Sequence, residues 1–307
     1  MLCLGLALSV TGVARAEIPK PPGWTPIFVD DFDGPAGSAP SAERWRVDLG
    51  HGYPGGPPNW GTQEIQRYTA DPANLALDGA GHLLISPQRG PDGEWTSARI
   101  ESVRDDFLAP AGGMLRIEAR ILMPGVGGQA ALGYWPAFWA LGRSYRETGA
   151  WPAAGEFDIM ESVNGLDSVW GILHCDVNPG GACGEPHGIG ASRACPGTPC
   201  PGHFHVYTFE WDRSVTPEEL RWYVDGQLLN RIVQTQLPAA TWRALTDQGG
   251  FFLLLNVAIG GGFSFAMAGW ISTPTPATEP GHPMAVDYVA VWTRPGPAAQ
   301  PARSTRP

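Results

Sequence analysis

The chain has 307 residues, of which 16% are charged and 43% are hydrophobic, and this composition excludes a wholly disordered protein. Thirty acidic and 20 basic side chains give a net charge of −10, which argues against a nucleic-acid partner or an anionic membrane surface, because both require clustered Lys and Arg. The 41 Gly and 31 Pro favour short strands joined by turns. The 13 Trp suit a neutral partner with flat apolar faces, such as a sugar.

The N-terminus has the pattern of a secretory signal peptide. The apolar run Leu2–Val13 is too short to span a bilayer, and the small-x-small pattern Ala14-Arg15-Ala16 follows it. A positively charged n-region is missing, and a buried N-terminal strand is the alternative. We predict that residues 1–16 are a signal peptide and that the mature protein is secreted, without a transmembrane segment. Residues 17–26 form a Pro-rich segment, 27–293 one folded domain, and 294–307 a disordered tail or linker.

The cysteines agree with an oxidising compartment. Cys3 lies in the predicted signal peptide, and the others lie in one loop-like segment: Cys175, Cys183, Cys195 and Cys200. An even number in a secreted chain predicts two disulfide bonds, and all three pairings remain open. The alternative is a zinc site completed by His174, His187 or His203, but the cysteine spacing matches no CxxC pattern. We expect the loop 175–202 to wall one end of a cleft.

Strand-like runs recur along the chain between turn signals. They cover residues 82–87, 114–123, 135–141, 156–163, 169–175, 205–211, 220–226, 251–259 and 286–292. The pair Asp225-Gly226 predicts a β-hairpin. The one predicted helical turn is 216–220, with Thr216 as its N-cap. Strands at regular spacing with almost no helix predict an all-β protein, built as an antiparallel sandwich or barrel.

The segment 155–165, GEFDIMESVNG, carries the strongest chemical signal. Glu156 and Asp158 lie two apart on a strand and therefore share a face. Strict alternation would bury Glu161 on the opposite face, where an unpaired carboxylate is too costly. One extra residue at Ile159-Met160, a β-bulge, brings Glu161 onto the face of the other two acids. The sequence therefore predicts three carboxylates on one face of a bulged strand.

Such a set suits the hydrolysis of a glycosidic bond. Two Glu side chains that lean towards each other approach the separation of roughly 5–5.5 Å that a retaining glycosidase needs. We expect Glu156 to be the nucleophile, Glu161 the acid/base and Asp158 an assisting residue between them. The alternatives are a calcium site and a solvated acidic strand. No Lys or Arg lies among residues 147–192, so a plain surface strand would suffer uncompensated repulsion.

The run EFDIME resembles the E-x-D-x-x-E signature of glycoside hydrolase family 16, in its laminarinase-like branch. Further segments match that family in order and approximate spacing: NWGTQEIQRYT (59–69), EWTSARIES (94–102), WPAFWALG (135–142), LLLNVAIGGG (254–262) and VDYVAVW (286–292). The resemblance implies a concanavalin A-like β-jelly roll, with 27–293 as the catalytic domain. It also implies retaining endo-hydrolysis of β-1,3-glucan.

Five further side chains are candidates for sugar binding. Trp135 and Trp139 lie four apart on a strand, so both present flat apolar plates on one face, although a core position is the alternative. By resemblance, His174 lies close to the acid/base, and Arg99 and Asn59 hydrogen-bond sugar hydroxyls. A structural histidine and ordinary surface residues are the alternatives for these three.

The resemblance also implies a structural calcium ion, and no cofactor is expected for catalysis. The ion would lie near Asp31, in VDDFDG (29–34), and Asp287, in VDYVAV. Asp31 stands where the family more often has Glu.

The expected partner is a β-glucan polysaccharide or oligosaccharide, and we expect a monomer. A mixed-linkage β-1,3-1,4-glucanase, a transglycosylase or a galactan hydrolase on the same scaffold are alternatives that differ in cleft loops. A β-glucan-binding lectin is the non-enzymatic alternative. It would not need the set Glu156, Asp158 and Glu161, which counts against it.

Overall fold

The computed structural model describes residues 17–296. The predicted signal peptide and nearly all of the predicted tail lie outside the described residues. The strands are β1 Thr25–Asp30, β2 Trp45–Val47, β3 Arg67–Tyr68, β4 Leu75–Leu77, β5 Leu83–Ile85, β6 Gln88–Arg89, β7 Trp95–Ser97, β8 Arg99–Ser102, β9 Met114–Leu122, β10 Tyr134–Gly142, β11 Glu156–Glu161, β12 Val169–His174, β13 Ile189–Arg193, β14 Phe204–Asp212, β15 Glu219–Val224, β16 Gln227–Val233, β17 Phe251–Ile259 and β18 Met284–Arg294. Short helices connect them: α1 Tyr145–Thr148, α2 Ala239–Asp247 and α3 Gly262–Met267.

Two sheets form the two layers of the protein. One has eight strands, in the order β16-β15-β14-β9-β18-β5-β4 with β1 paired to β18. The other has seven strands, in the order β13-β12-β11-β10-β17-β8-β2. Neighbouring strands within both sheets run antiparallel, so the prediction of an antiparallel β-sandwich of jelly-roll type is confirmed. The acidic strand β11 is an inner strand of the seven-stranded sheet, between β12 and β10.

The core between the sheets is rich in aromatic rings. Phe157, on β11, is fully buried, and its ring centroid lies 4.5 Å from that of Phe209 on β14 and 4.5 Å from that of Phe251 on β17. Trp211 and Trp222 pack edge-on against the same ring. Alternate residues of β11 therefore anchor the strand in the core and leave the intervening ones on the outer face.

The predicted β-bulge in β11 is confirmed. In the pairing with β10, Trp139 lies opposite Asp158 and Phe138 lies opposite Met160, so Ile159 has no partner. Ile159 and Met160 are both buried in the core. The extra residue returns Glu161 to the face of Asp158, as the cost of burying an unpaired carboxylate requires.

The prediction of a helical turn at 216–220 is wrong. These residues form bends that lead into β15, and Glu219 and Leu220 already pair with Val233 and Ile232 of β16. A single turn gains too few hydrogen bonds to compete with a strand ladder. The hairpin predicted at Asp225-Gly226 joins β15 to β16, as expected.

The cysteines form two short-range disulfide bonds, Cys175–Cys183 and Cys195–Cys200. The zinc alternative for these cysteines is therefore wrong. The first strand begins at Thr25, inside the predicted Pro-rich segment, and the last ends at Arg294, one residue beyond the predicted domain. Among residues 17–296, no helix has the length and apolar character needed to cross a membrane.

The packing of Phe157 provides a test of the core. Phe157→Ala should lower the free energy of unfolding by about 3–5 kcal/mol, because it leaves a cavity between the two sheets. Chemical denaturation measures the change. Leu228→Ala, at an exposed position on β16, is the control and should cost less than about 0.5 kcal/mol. Equal losses in the two variants would contradict the central position of Phe157.

Candidate active site

The outer face of the seven-stranded sheet brings the three predicted carboxylates together. Glu156, Asp158 and Glu161 project from β11 on that face and are 9%, 4% and 6% exposed. Leu141 of β10 and His174 of β12 flank Glu156 in the strand register. Ionisable groups concentrated on one sheet face at such low exposure are costly, and this combination is typical of a functional site.

A tryptophan lies beside each glutamate. The Trp135 indole Nε1 donates to Glu161 Oε1 over 2.8 Å. Trp151, in the loop before β11, lies beside Glu156 and lowers the pKa of that carboxyl group, and its ring also lies against His174 with 5.5 Å between centroids. Indole N–H groups are donors only, so they hold a carboxyl group in place without adding charge.

Burial shifts the protonation of both glutamates. Burial raises the pKa of Glu156 to about 8, and repulsion from Asp158 adds to the increase, whereas His174 and Arg99 oppose it. Burial and the charge of Asp158 also raise the pKa of Glu161 well above its usual range. Glu156 lies opposite His174, and the positive charges of His174 and Arg99 both lower its pKa. We therefore infer that Glu156 ionises at lower pH than Glu161.

His174 joins β12 to the acidic strand. Its Nε2 lies 3.2 Å from Asp158 Oδ2, and its Nδ1 lies 2.6 Å from Glu185 Oε2. Burial alone would lower the pKa of His174, but the contacts with Asp158 and Glu185 raise it well above its usual value. The imidazole therefore carries a positive charge among the acids. Glu185 lies in the cysteine-rich loop, so that loop reaches the site as well as contributing the edge strand β13.

Arg99, on β8, supports the aromatic surface beside the carboxylates. Its guanidinium carbon lies 4.8 Å from the ring centroid of Trp139 and 4.4 Å from that of Trp60. Its Nε donates to Asp48 Oδ2 over 2.9 Å, and its Nη2 donates to the Tyr53 hydroxyl. At 5% exposure, Arg99 acts mainly as a buried cation under the rings.

A hydrogen-bond chain orients Trp139. The indole Nε1 donates to Asn256 Oδ1 over 2.8 Å, and Asn256 Nδ2 donates to the Tyr68 hydroxyl over 3.1 Å. The Tyr68 hydroxyl in turn donates to Glu64 Oε2. Each polar group in this series of hydrogen bonds has a partner, so the Trp139 ring is fixed in one orientation on the outer face of the sheet.

On the other side of the acids, Trp135 lies edge-on to Phe263 of α3, with 5.7 Å between centroids. Trp170 of β12 packs edge-on against the same Phe263, and Trp170 lies opposite Glu161 in the register. Half-buried aromatic rings therefore flank the carboxylates at both ends, with Trp60 and Trp139 on one side and Trp135, Trp170 and Phe263 on the other. The face is built to hold a row of flat, neutral units.

Comparison with known proteins agrees with this geometry. No family model matches the chain. It is 33% identical over 301 residues to a β-glucanase of Rhodothermus marinus, covering 95% of this chain and 92% of that protein. The chain belongs to glycoside hydrolase family 16, in its laminarinase-like branch.

Solved structures of that branch are also similar. The crystal structure of an endo-1,3-β-glucanase from Streptomyces sioyaensis has 52% identity and a TM-score of 0.89, covering 92% of this chain and all (100%) of that one. A laminarinase structure from Rhodothermus marinus has 31% identity and a TM-score of 0.67, covering 88% and 97%. The family 16 resemblance read from the sequence is therefore confirmed.

The residues of this family 16 hydrolase do not suit calcium at the acidic strand. Among residues 17–296, one group of acidic and histidine side chains is close enough to hold a metal ion: Glu156, Asp158 and His174, with ligand atoms within 4.8 Å of one another. Calcium prefers oxygen ligands, and the charged imidazole already supplies the positive charge that a cation would bring.

The calcium predicted near Asp31 and Asp287 stays a prediction. Asp287 is buried on β18 and forms an ion pair with Arg120 on β9, with 2.5 Å between Arg120 Nη1 and Asp287 Oδ2. Asp31 follows β1 and is half-buried. The Arg120 guanidinium thus compensates the charge of one of the two carboxylates.

The remaining predicted residue, Asn59, lies on an exposed 3-10 turn, Pro58–Gly61, and has a left-handed backbone with φ 53°. Its neighbour Trp60 has the same conformation and covers Arg99. The sequence pattern covers this segment but does not single out Trp60, Trp151 or Glu185 as site residues. For Trp60, the available signal was its position beside Asn59, a predicted sugar-binding residue. Trp151 and Glu185 reach the site from loops, and such contacts leave no pattern in the sequence.

The raised pKa of Glu156 predicts a pH-dependent stability. The folded-state pKa of about 8 lies above the ordinary value of 4.5, so between these two pH values the folded protein binds more protons than the unfolded protein. The folded protein therefore loses stability as the pH rises from 4.5 to about 8. Glu156→Gln should therefore stabilise the fold, by about 1 kcal/mol at pH 5 and by several kcal/mol at pH 8, on the order expected from the shift. Thermal unfolding at both pH values measures the gain.

Glu147→Gln, at an exposed acid of α1, is the matched control for that experiment. A pH-dependent gain of the same size in this control, or none in Glu156→Gln, would contradict burial as the cause.

Proposed function

We propose that this family 16 hydrolase cleaves internal β-1,3-glucosidic bonds of laminarin-type β-glucan with retention of anomeric configuration. The observation that carries the proposal is the placement of Glu156, Asp158 and Glu161 on one open sheet face by a bulge in β11. The relatives' names, which describe β-1,3-glucanases and a laminarinase, support the choice of substrate.

The two glutamates divide the work of a double displacement. The Glu156 carboxylate attacks the anomeric carbon while the glycosidic C–O bond breaks and Glu161 gives its proton to the leaving oxygen. Esterification removes the charge of Glu156, so the pKa of Glu161 falls. Glu161 then accepts a proton from the water that attacks the anomeric carbon, and the Glu156 ester bond breaks. The cycle returns both residues to their starting states.

Asp158 and His174 form a charge pair beside the two glutamates during this cycle. Asp158 lies between the two glutamates on the strand, and the imidazolium 3.2 Å from it offsets its charge. The positive charge of His174 favours ionised Glu156 before attack, against the repulsion from Asp158. Trp135, which donates to Glu161, fixes the orientation of the acid.

The two catalytic roles can be separated chemically. Glu156→Gln and Glu161→Gln should each lower kcat by at least about 10²–10⁴-fold, because each removes an essential proton or nucleophile. With azide and an activated β-glycoside, Glu156→Ala should give the α-glycosyl azide and Glu161→Ala the β-glycosyl azide, as judged by NMR. Exchanged products would reverse the assignment, and wild-type-like activity in either Gln variant would remove it.

The tryptophans are proposed to stack on sugar rings. Trp139→Ala should raise KM about tenfold with little change in kcat, because stacking stabilises substrate and transition state alike. Trp24→Ala is the matched control, since Trp24 is a half-buried ring under a guanidinium, that of Arg294, on the other sheet. Steady-state kinetics on laminarin test the pair. An unchanged KM in Trp139→Ala, or an equal increase in Trp24→Ala, would contradict the stacking role.

Substrate preference among family 16 activities is tested directly. Laminarin, lichenan and agarose are digested side by side, and reducing ends and product lengths are followed. We expect a ladder of oligosaccharides from laminarin, which shows endo action. Release from lichenan alone would favour a mixed-linkage enzyme, products longer than the substrate would favour a transglycosylase, and no release would favour a glucan-binding lectin.

We also propose that the protein acts outside the cell. Two disulfide bonds in one loop support an oxidising compartment. Action as a monomer stays a prediction, which size-exclusion chromatography with light scattering can test.

A further inference from the structure

Glu185 is a buried acid that the catalytic cycle above does not use. It lies two residues after Cys183, just outside the loop that the Cys175–Cys183 disulfide closes, and is 4% exposed. Its Oε2 lies 2.6 Å from His174 Nδ1, and its Oε1 accepts a hydrogen bond from the Cys175 N–H over 2.8 Å. Backbone hydrogen bonds with Gly180 in both directions hold it there. Both carboxylate oxygens are therefore committed inside the protein.

The surroundings of His174 explain what this acid does. Glu156, Asp158 and Glu161 face the imidazole from β11, and Glu185 faces it from the loop after β12. Trp151 and the backbone of Gly188 pack against the ring. Glu185 is the acid on the Nδ1 side, so it is placed to fix the ring with its Nε2 3.2 Å from Asp158 Oδ2.

We propose that Glu185 is a positioning residue of the reaction, holding His174 as an imidazolium with its Nε2 beside Asp158. The inference rests on the proposed function, because it assigns a role within the same site. A carboxylate behind a histidine fixes the tautomer and orientation of the ring, and loss of such a partner lowers activity by about 10–100-fold in metal sites with the same arrangement.

The charges of Glu185, His174 and Glu156 determine the direction in which the pH profile should move. Glu185 stabilises the positive charge on His174, and that charge favours ionised Glu156. Without Glu185, His174 loses its proton at lower pH, so Glu156 ionises only at higher pH. The acidic limb of kcat/KM, which reports ionisation of the free enzyme's nucleophile, therefore moves upward.

The test uses Glu185→Gln in the full chain, which keeps the shape and the acceptor for the Cys175 N–H but removes the charge. We expect the acidic limb to move up by about one pH unit, with kcat about tenfold lower on that limb and KM unchanged. If the acidic limb does not move, the proposal is overturned. A variant that is merely less stable has a smaller folded fraction and an unmoved limb, so that outcome also overturns it.

The chain offers a matched control in Asp225→Asn. Asp225 makes the same two contacts elsewhere, with Oδ2 2.6 Å from His205 Nδ1 and Oδ1 accepting the Val206 N–H over 2.8 Å. This variant should leave the limb in place. Asp225 is more exposed than Glu185, so an equal shift here would show a general effect of removing a carboxylate from a histidine contact and would overturn the proposal.

A double-mutant comparison tests the path through histidine. In a His174→Asn background, Glu185→Gln should produce no further shift, since its effect passes through the ring. A shift of the same size in that background overturns the proposal.

A measurement on the wild type needs neither a variant nor a substrate. NMR titration of the imidazole signals should find His174 still protonated at pH 8, whereas titration near the ordinary value of about 6.5 would overturn the proposal. If the wild type releases no sugar from any glucan, the proposed function fails, and repeating this titration on Glu185→Gln still decides whether Glu185 holds the proton on His174, because Asp158 and Glu156 also raise the pKa of the ring.

Discussion

One irregularity in one strand sets the chemistry of this protein. The bulge at Ile159 inserts two consecutive core residues into β11 and returns Glu161 to the face of Glu156 and Asp158. A bulge disrupts the hydrogen-bond ladder, and here the opposite sheet compensates, because Trp222 Nε1 donates to the Asp158 carbonyl over 2.9 Å. Gly171, on the neighbouring strand, leaves room for that indole, since a Cβ there would lie 2.8 Å from the Trp222 ring.

The bulge concentrates negative charge in a place where water is scarce. Three carboxylates on one face, together with Glu185, are balanced locally by His174 and, farther away, by Arg99. Burial therefore stores protons on the glutamates at pH values where free glutamate is ionised. The fold gives up stability to hold that arrangement, a common trade-off in active sites.

The aromatic surface around the acids is also held by buried polar contacts. Arg99 lies under Trp60 and Trp139 and is held by Asp48, while Asn256 and Tyr68 orient the Trp139 indole. These supports come from β2–β3, β8 and β17, so the rings are fixed by strands and connections remote from them in sequence. A rigid row of rings loses little entropy when it binds a neutral polymer.

The sequence by itself determined the strands with strong apolar patterns, the hairpin at Asp225-Gly226, the face shared by the acids and the need for a bulge, because alternation and the cost of a buried charge are local rules. It missed short strands such as β2 and β6, since two or three residues carry too little pattern, and it placed a helix where strand pairing prevails. The disulfide pairing, the Arg99 support and the contact of Glu185 with His174 were decided only by the tertiary structure. Each depends on how loops fold back onto the sheet, and no local pattern records the distance between side chains that packing brings together.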